Sequence, residues 1–202
     1  QERPVFCAGA DLKAINSGQA AGLNTKRGGF GGFVYRDRKK PVIAAVDGLA
    51  TAGGCELVLA CDMLVASTRS AFGLAEATRN LIAGAGGLFR LPRAIGRAAA
   101  MEAILTGEPF SAQRAYELGM VNKLVEPNTS LDAAIDLALR VCKAAPLAVW
   151  ASRKIVLASE TESDQNLIDM TNKEFAAVLA SEDTKEGLTA FIEKRPPNWQ
   201  GK

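Results

Sequence analysis

Two glutamates supply the side chains from which acid–base chemistry could be built. Glu56 ends the run Thr51-Ala52-Gly53-Gly54-Cys55-Glu56, and Glu76, twenty residues on, ends Ser70-Ala71-Phe72-Gly73-Leu74-Ala75-Glu76. The sequence has no histidine, which removes Ser-His-Asp and Cys-His nucleophile pairs, histidine general bases and histidine-containing zinc sites together. Acid–base work within the chain therefore falls mainly to Glu, Asp, Lys, Cys or Tyr. Each glutamate alone has a plainer explanation. A Glu in the first turn of a helix, as at Glu56, complements the positive end of the helix dipole, and a loop Glu such as Glu76 is usually just solvated. Apolar neighbours weaken the second explanation. A carboxyl among Phe72, Leu74 and Leu81 is partly desolvated, which raises its pKa toward the range useful for proton transfer. Two carboxyls near one substrate can then share one proton. Addition of water needs that division: one group takes a proton from water and the other gives one to carbon.

Two stretches of small residues could hold the substrate of such a pair. In Val5-Phe6-Cys7-Ala8-Gly9-Ala10-Asp11-Leu12-Lys13 an apolar strand end runs into small residues, and Asp11 is placed to cap a helix starting at Leu12. Gly48-Leu49-Ala50-Thr51-Ala52-Gly53-Gly54-Cys55-Glu56 repeats the arrangement of strand, small residues and helix start. Unpaired N–H groups at a helix start stabilise negative charge, and small side chains admit a ligand to the backbone. Two such groups aimed at one carbonyl oxygen make an oxyanion hole. Either stretch alone is explained as well by tight turns and close helix packing. The Gly-x-x-x-x-Gly-Lys-Ser/Thr pattern of a phosphate loop is missing.

The elements that must position these residues are legible in part. Pro41–Val46 reads as a buried strand ended by the turn Asp47-Gly48, Gly54–Cys61 as a helix after a small-residue loop, and Asp62–Ala66 as a second buried strand. That is an α/β unit. From about Arg97 the pattern predicts successive helices: Ala98–Leu105, Ser111–Leu118 capped by Ser111, Leu131–Lys143 capped by Ser130, one opened by Pro146 and running to about Ser159, and two more. The glycine-rich stretch Asn16–Tyr35 breaks regular structure and is either a solvated linker or a cover for substrate.

Composition narrows the class. A chain of 202 residues suits one domain. No apolar run approaches the roughly 20 residues of a membrane span. The 24 basic and 22 acidic residues are interspersed, giving +2 and no basic arm for nucleic acid. Cys7, Cys55, Cys61 and Cys142 show no paired metal-ligand spacing and are too few for a disulfide scaffold, so a reducing compartment is expected. The sequence starts at Gln1 and runs at once into a dense motif, as a chain cut near its start would. The expected location is the cytoplasm, with a mitochondrial or other organellar matrix as the alternative.

Taken in order, these motifs resemble the crotonase, or enoyl-CoA hydratase/isomerase, family. FCAGADLK at Phe6–Lys13 is similar to its first oxyanion motif, and KPVIAAVDGLATAGGCELVLACD at Lys40–Asp62 to its second. FGLAE at Phe72–Glu76, GAGG at Gly84–Gly87, RLPRAIG at Arg90–Gly96, LTGEPFSAQRAYELGMVNKLV and EDTKEGLTAFIEKR continue the family order over almost the whole chain.

The resemblance implies an α/β fold, a spiral of ββα units over residues 1–125, with a helical region over 126–202 that packs into homotrimers or dimers of trimers. It implies an acyl-CoA thioester as substrate and partner, no metal, and no cofactor beyond the CoA of that substrate; neither nucleic acid nor a membrane is expected. Its oxyanion donors would be the N–H groups of Ala10 and Gly53. Ala8, Ala10, Asp11, Leu12, Lys13 and Gly53 would line the CoA path, with Phe191 and Lys194 contacting CoA from the last helix. Glu56 would deprotonate water and Glu76 protonate the alpha carbon of a 2-enoyl-CoA, making the chain an enoyl-CoA hydratase. The alternatives are an isomerase, a carnitinyl-CoA dehydratase-like member, or a non-catalytic or RNA-binding relative. Ala52 stands where hydratases commonly have the first of three glycines, and Ala75 where a proline is usual. Asn80 and Ala83 also depart from the family pattern; together these departures leave the acyl group open and bring the chain nearer to less characterised or carnitinyl-CoA dehydratase-like members.

Overall fold

A computed structural model describes residues 4–202 of the chain, so residues 1–3 of the expected core unit lie outside the described residues. The described chain forms two compact units: residues up to Arg38 with Val42–Asp136, and 39–41 with Leu137–Lys202. The division falls inside a helix, Ser130–Cys142, whereas the sequence-based division lies just after a strand, Lys123–Val125.

The first unit opens with strand β1 (Val5–Cys7), helix α1 (Leu12–Asn16), a 3₁₀ turn (Ala20–Leu23) and the hairpin β2 (Asn24–Thr25) and β3 (Gly29–Phe30). Asp11 caps α1, its Oδ1 accepting from the Lys13 N–H at 2.8 Å, as its position predicts. The glycine-rich stretch is therefore ordered rather than free of regular structure.

From strand β4 (Ile43–Val46) the chain alternates between two sheets. β4 is followed by β5 (Leu49–Thr51), helix α2 (Gly53–Leu59), β6 (Met63–Ser67) and β7 (Ala71–Gly73). β4 and β6 pair in parallel in a three-stranded sheet, β5 and β7 in parallel in a four-stranded one. Each ββα turn thus adds one strand to each sheet, with Ile43 beside Met63 and Leu49 beside Ala71. Parallel neighbours require such crossovers, and this alternation is the spiral. β1 lies beside β5.

A 3₁₀ turn (Glu76–Arg79) leads to helices α3 (Gly87–Ile95) and α4 (Arg97–Thr106). Strand β8 (Phe110–Ser111), helix α5 (Ala112–Glu117), strand β9 (Lys123–Val125) and helix α6 (Ser130–Cys142) follow. β8 closes the four-stranded sheet antiparallel to β7, and β9 joins β6 in the other.

Several expectations need correction. Leu49–Thr51, read as loop, is the strand between β1 and β7, and the stretch before Glu76 contains β7. α3 escaped notice because Pro92 lies inside it, and Ser130 is the first residue of α6 rather than a cap outside it. Strands of three residues are too short for periodicity to reveal; pairing with distant strands makes them.

The core gathers Val46, Ala50, Cys55, Leu64, Ala66, Phe72, Leu74 and Leu91 from both sheets and α2–α3. Parallel strands covered on both faces read as continuous apolar runs, as Ile43–Val46 does. Their turn is pinned by a buried hydroxyl: Ser70 Oγ accepts from the Gly48 N–H and donates to the Val46 carbonyl, both at 3.0 Å. Beside it Arg69 forks onto both oxygens of Asp47, at 2.8 and 2.6 Å, and holds that carboxyl down at about 2.

The second unit contains the rest of α6 with helices α7 (Pro146–Ala158), α8 (Asp164–Leu179) and α9 (Glu182–Glu193). Pro146 opens α7 at its first turn as expected, and Ser163 and Ser181 cap the next two. After α9 the chain folds back: buried Asp183 accepts from the N–H groups of Gln200 and Gly201 at 2.7 and 2.8 Å.

Candidate active site

Glycines let the two helix starts come together. β1 and β5 are parallel neighbours, so α1 and α2 begin side by side at the same sheet end. Any Cβ on Gly9 would fall 2.7 Å from the Gly53 nitrogen, and one on Gly54 would fall 2.1 Å from the Cys7 carbonyl oxygen. The N–H groups of Ala10 and Gly53 have no backbone acceptor among the described residues. Ala52, between strand and helix, sits at φ 51 and ψ −130. A side chain there carries about 1–3 kcal/mol of backbone strain. The Gly-to-Ala departure thus leaves the Gly53 donor in place and strains the backbone that presents it.

The two glutamates face one cavity of about 560 Å³. Ala8, Ala10, Leu12 and Gly53 also line it. Asp11 and Lys13 do not; they are engaged in the α1 cap. Phe191, on α9 of the second unit, is 84% exposed, and Lys194 caps the C-terminus of that helix in a left-handed conformation. The structure thus brings six of the anticipated residues, Glu56 and Glu76 included, onto one cavity, with Asp11 and Lys13 in the α1 cap and Phe191 and Lys194 in the second unit.

Glu56 is 3% exposed, and its Oε1 accepts from the N–H groups of Ala85 at 2.7 Å and Gly87 at 2.8 Å. One oxygen is therefore fixed by the Gly84–Gly87 segment, where a Cβ on Gly87 would press on Leu74 and on Glu56 Cγ. Burial raises the Glu56 pKa, opposed by the Gly87 bond; the Glu76 charge raises it further, while the Ala85 bond and the Arg90 charge lower it. Glu76 is likewise raised, mainly by burial, with its own backbone N–H and Arg79 opposing. Its Oε2 is buried without a hydrogen-bond partner. Cys55 does not compete as a base, because burial pushes its thiol up to about 12.

Sequence reasoning left out part of the wall. Ala20, Leu23, Asn24 and Phe30 reach the cavity from the glycine-rich stretch, with the Phe30 ring so close to Gly53 that a Cβ there would meet it at 2.7 Å. Of its two readings, solvated linker or substrate cover, this contact favours the cover. Arg79, Leu81 and Ile82 also line it, with Ala75. Asn80 instead ends the 3₁₀ turn at φ 55, and Ala83 is buried in the core. Spacing gave no signal for the Ala85 and Gly87 amides, since backbone donors carry no side-chain identity. Among the described residues no group of His, Cys, Asp or Glu is placed to hold a metal ion, and no helix is long and apolar enough to cross a membrane.

A spiral of ββα turns carrying one buried and one partly buried carboxyl on the same cavity as two neighbouring amide donors is a crotonase-type arrangement. The chain belongs to the enoyl-CoA hydratase/isomerase family, whose model matches residues 2–202. It is 41% identical to a carnitinyl-CoA dehydratase of Proteus mirabilis (strain HI4320), covering 98% of this chain and 77% of the relative, and 39% identical to one of Salmonella arizonae over 97% and 77%. The crystal structure of an enoyl-CoA hydratase from Mycobacterium marinum is similar with a TM-score of 0.93 at 48% identity, covering 98% of this chain and 77% of that one. An enoyl-CoA hydratase from Mycobacterium tuberculosis H37Rv gives the same values.

Proposed function

We propose that this chain is a hydro-lyase that moves water onto or off the carbon–carbon bond next to the carbonyl of an acyl-CoA thioester. The observation that carries the reading is the pair of carboxyls, Glu56 buried and Glu76 partly buried, both raised in pKa, on the cavity that also presents the Ala10 and Gly53 amides. The thioester oxygen accepts from those amides, which stabilise the enolate as charge moves onto it. In the hydration direction ionised Glu56, with Oε1 fixed, takes a proton from water as the water oxygen bonds to the beta carbon. The double-bond electrons pass into the enolate, and protonated Glu76 returns a proton to the alpha carbon. Dehydration is the reverse.

The acyl group is the finer question. The curated relatives favour loss of water from a carnitinyl-CoA-type 3-hydroxyacyl thioester, and Ala75 in the cavity wall is in keeping with a pocket altered from that of simple hydratases. The solved relatives support hydration of a 2-enoyl-CoA by the same residues. Rates on carnitinyl-CoA and on a straight-chain 2-enoyl-CoA decide between them.

Glu56→Gln and Glu76→Gln should each lower kcat/KM by about 10²–10⁴-fold with the circular dichroism unchanged; full activity in either overturns the mechanism. The pH–rate profile in the hydration direction should be bell-shaped. The rate falls with acid as Glu56 gains its proton and with base as Glu76 loses its own, and burial sets the acid limb above the ordinary carboxylate range. The proposal extends to the helical region, as the surface through which chains associate into trimers; light-scattering mass in solution tests it.

A further inference from the structure

Arg90 on α3 touches both segments that shape the Glu56 end of the cavity. Its Nη1 donates to the Ala85 carbonyl at 3.1 Å and its Nη2 to the Val34 carbonyl at 2.7 Å. Ala85 is one of the two residues whose amides hold Glu56 Oε1. Val34 lies near the end of the glycine-rich stretch that brings Phe30 to the cavity, and the hydroxyl of Tyr35, its last residue, donates to the Gly84 carbonyl at 3.0 Å. The guanidinium lies on the backbone of Gly86, where φ is +107 and a Cβ would sit 2.2 Å from Nη1. It also lies 5.5 Å from the centre of the Tyr35 ring and 5.1 Å from that of Phe89. A rigid planar fork can serve two carbonyls of two segments at once; a single ammonium cannot reproduce that geometry.

We infer that Arg90 is a positioning residue for Glu56, fixing the Ala85–Gly87 amide cradle and the glycine-rich cavity wall in one arrangement. Its kinetic consequence rests on the reading of Glu56 as the base; the geometry does not. The charged or titratable groups facing Glu56 are Glu76 on its 3₁₀ turn, Arg90 on α3 and the neutral buried thiol of Cys55, while Arg79 acts on Glu76. Arg90 is the cation among those acting on Glu56, so its removal disfavours the carboxylate.

The test uses Arg90→Gln and Arg90→Lys in the full chain, with the Glu56 carboxyl followed by ¹³C titration and assigned through Glu56→Gln. In Arg90→Gln, Glu56 should titrate at higher pH than in the unaltered chain. Its kcat should fall about 10–100-fold, as expected for a displaced catalytic group, while KM changes by less than about threefold. The acid limb of the pH–rate profile should move to higher pH. Arg90→Lys keeps the charge and serves if Arg90→Gln does not fold: Glu56 should titrate near its original position while kcat stays lowered. An unmoved Glu56 titration in Arg90→Gln, a loss confined to KM, or unaltered kcat in Arg90→Lys overturns the inference. The titration needs no turnover, so an enzyme inactive on every enoyl-CoA would sink the proposed reaction and still leave Arg90 decided.

Discussion

The spiral unit and the helical unit are specified by opposite kinds of residue. In the spiral, Ala, Gly, Val and Leu vanish into a continuous core, and Gly9, Gly54 and Gly87 stand where a single methyl would strike backbone or a functional side chain. Among the described residues from 137 onward only Asp183 and Ala190 are buried, while Phe175, Leu179, Leu188, Phe191 and Ile192 are between 56% and 84% exposed. Exposed apolar faces on that scale mark a surface that contacts something else. One unit is built by close approach of backbones. The other rests on caps and amphipathic helices and leaves much of its apolar surface open.

The sharpest way to break this contrast is to cut the first core. Leu91→Ala, at a side chain 0% exposed, should destabilise by about 2–5 kcal/mol, read as a lowered denaturant midpoint. Gly54→Ala should follow at about 1–3 kcal/mol, because α2 must shift off the Cys7 carbonyl; its activity should fall further than stability alone explains, since Gly53 moves with it. Ala52→Gly should act in the opposite direction. Relief of left-handed strain outweighs the added freedom of the unfolded chain by about 1 kcal/mol, giving a higher melting temperature with activity retained. The smallest effect is expected in the helical unit, where Phe175→Ser, at a position 64% exposed, should change the stability of a dilute single chain by less than about 0.5 kcal/mol. A large loss there that depends on protein concentration would show the face to be covered by another chain.

Legibility followed the same divide. Helix ends were readable because caps are local chemistry: Asp11, Ser111 and Pro146 all do what their positions predict. Strands β5, β7 and β9 were not, since three residues carry no period and their partners lie far along the chain. At the site, the motifs around Ala10, Gly53, Glu56 and Glu76 pointed to one cavity, and these four residues line it. Phe30 was hidden in a stretch whose glycines could equally have meant a linker.

The sequence by itself determined which groups are available for chemistry. With no histidine, two glutamates beside two small-residue helix starts left few other groups for moving protons. Tertiary structure alone decided how those groups behave. The raised pKa of Glu56 and Glu76 comes from burial in the folded chain, the grip on Glu56 Oε1 comes from the Ala85 and Gly87 amides, and the strain at Ala52 comes from a turn forced between sheet and helix. Desolvation and backbone direction belong to the assembled fold, because both depend on which atoms exclude water and where the chain is made to turn.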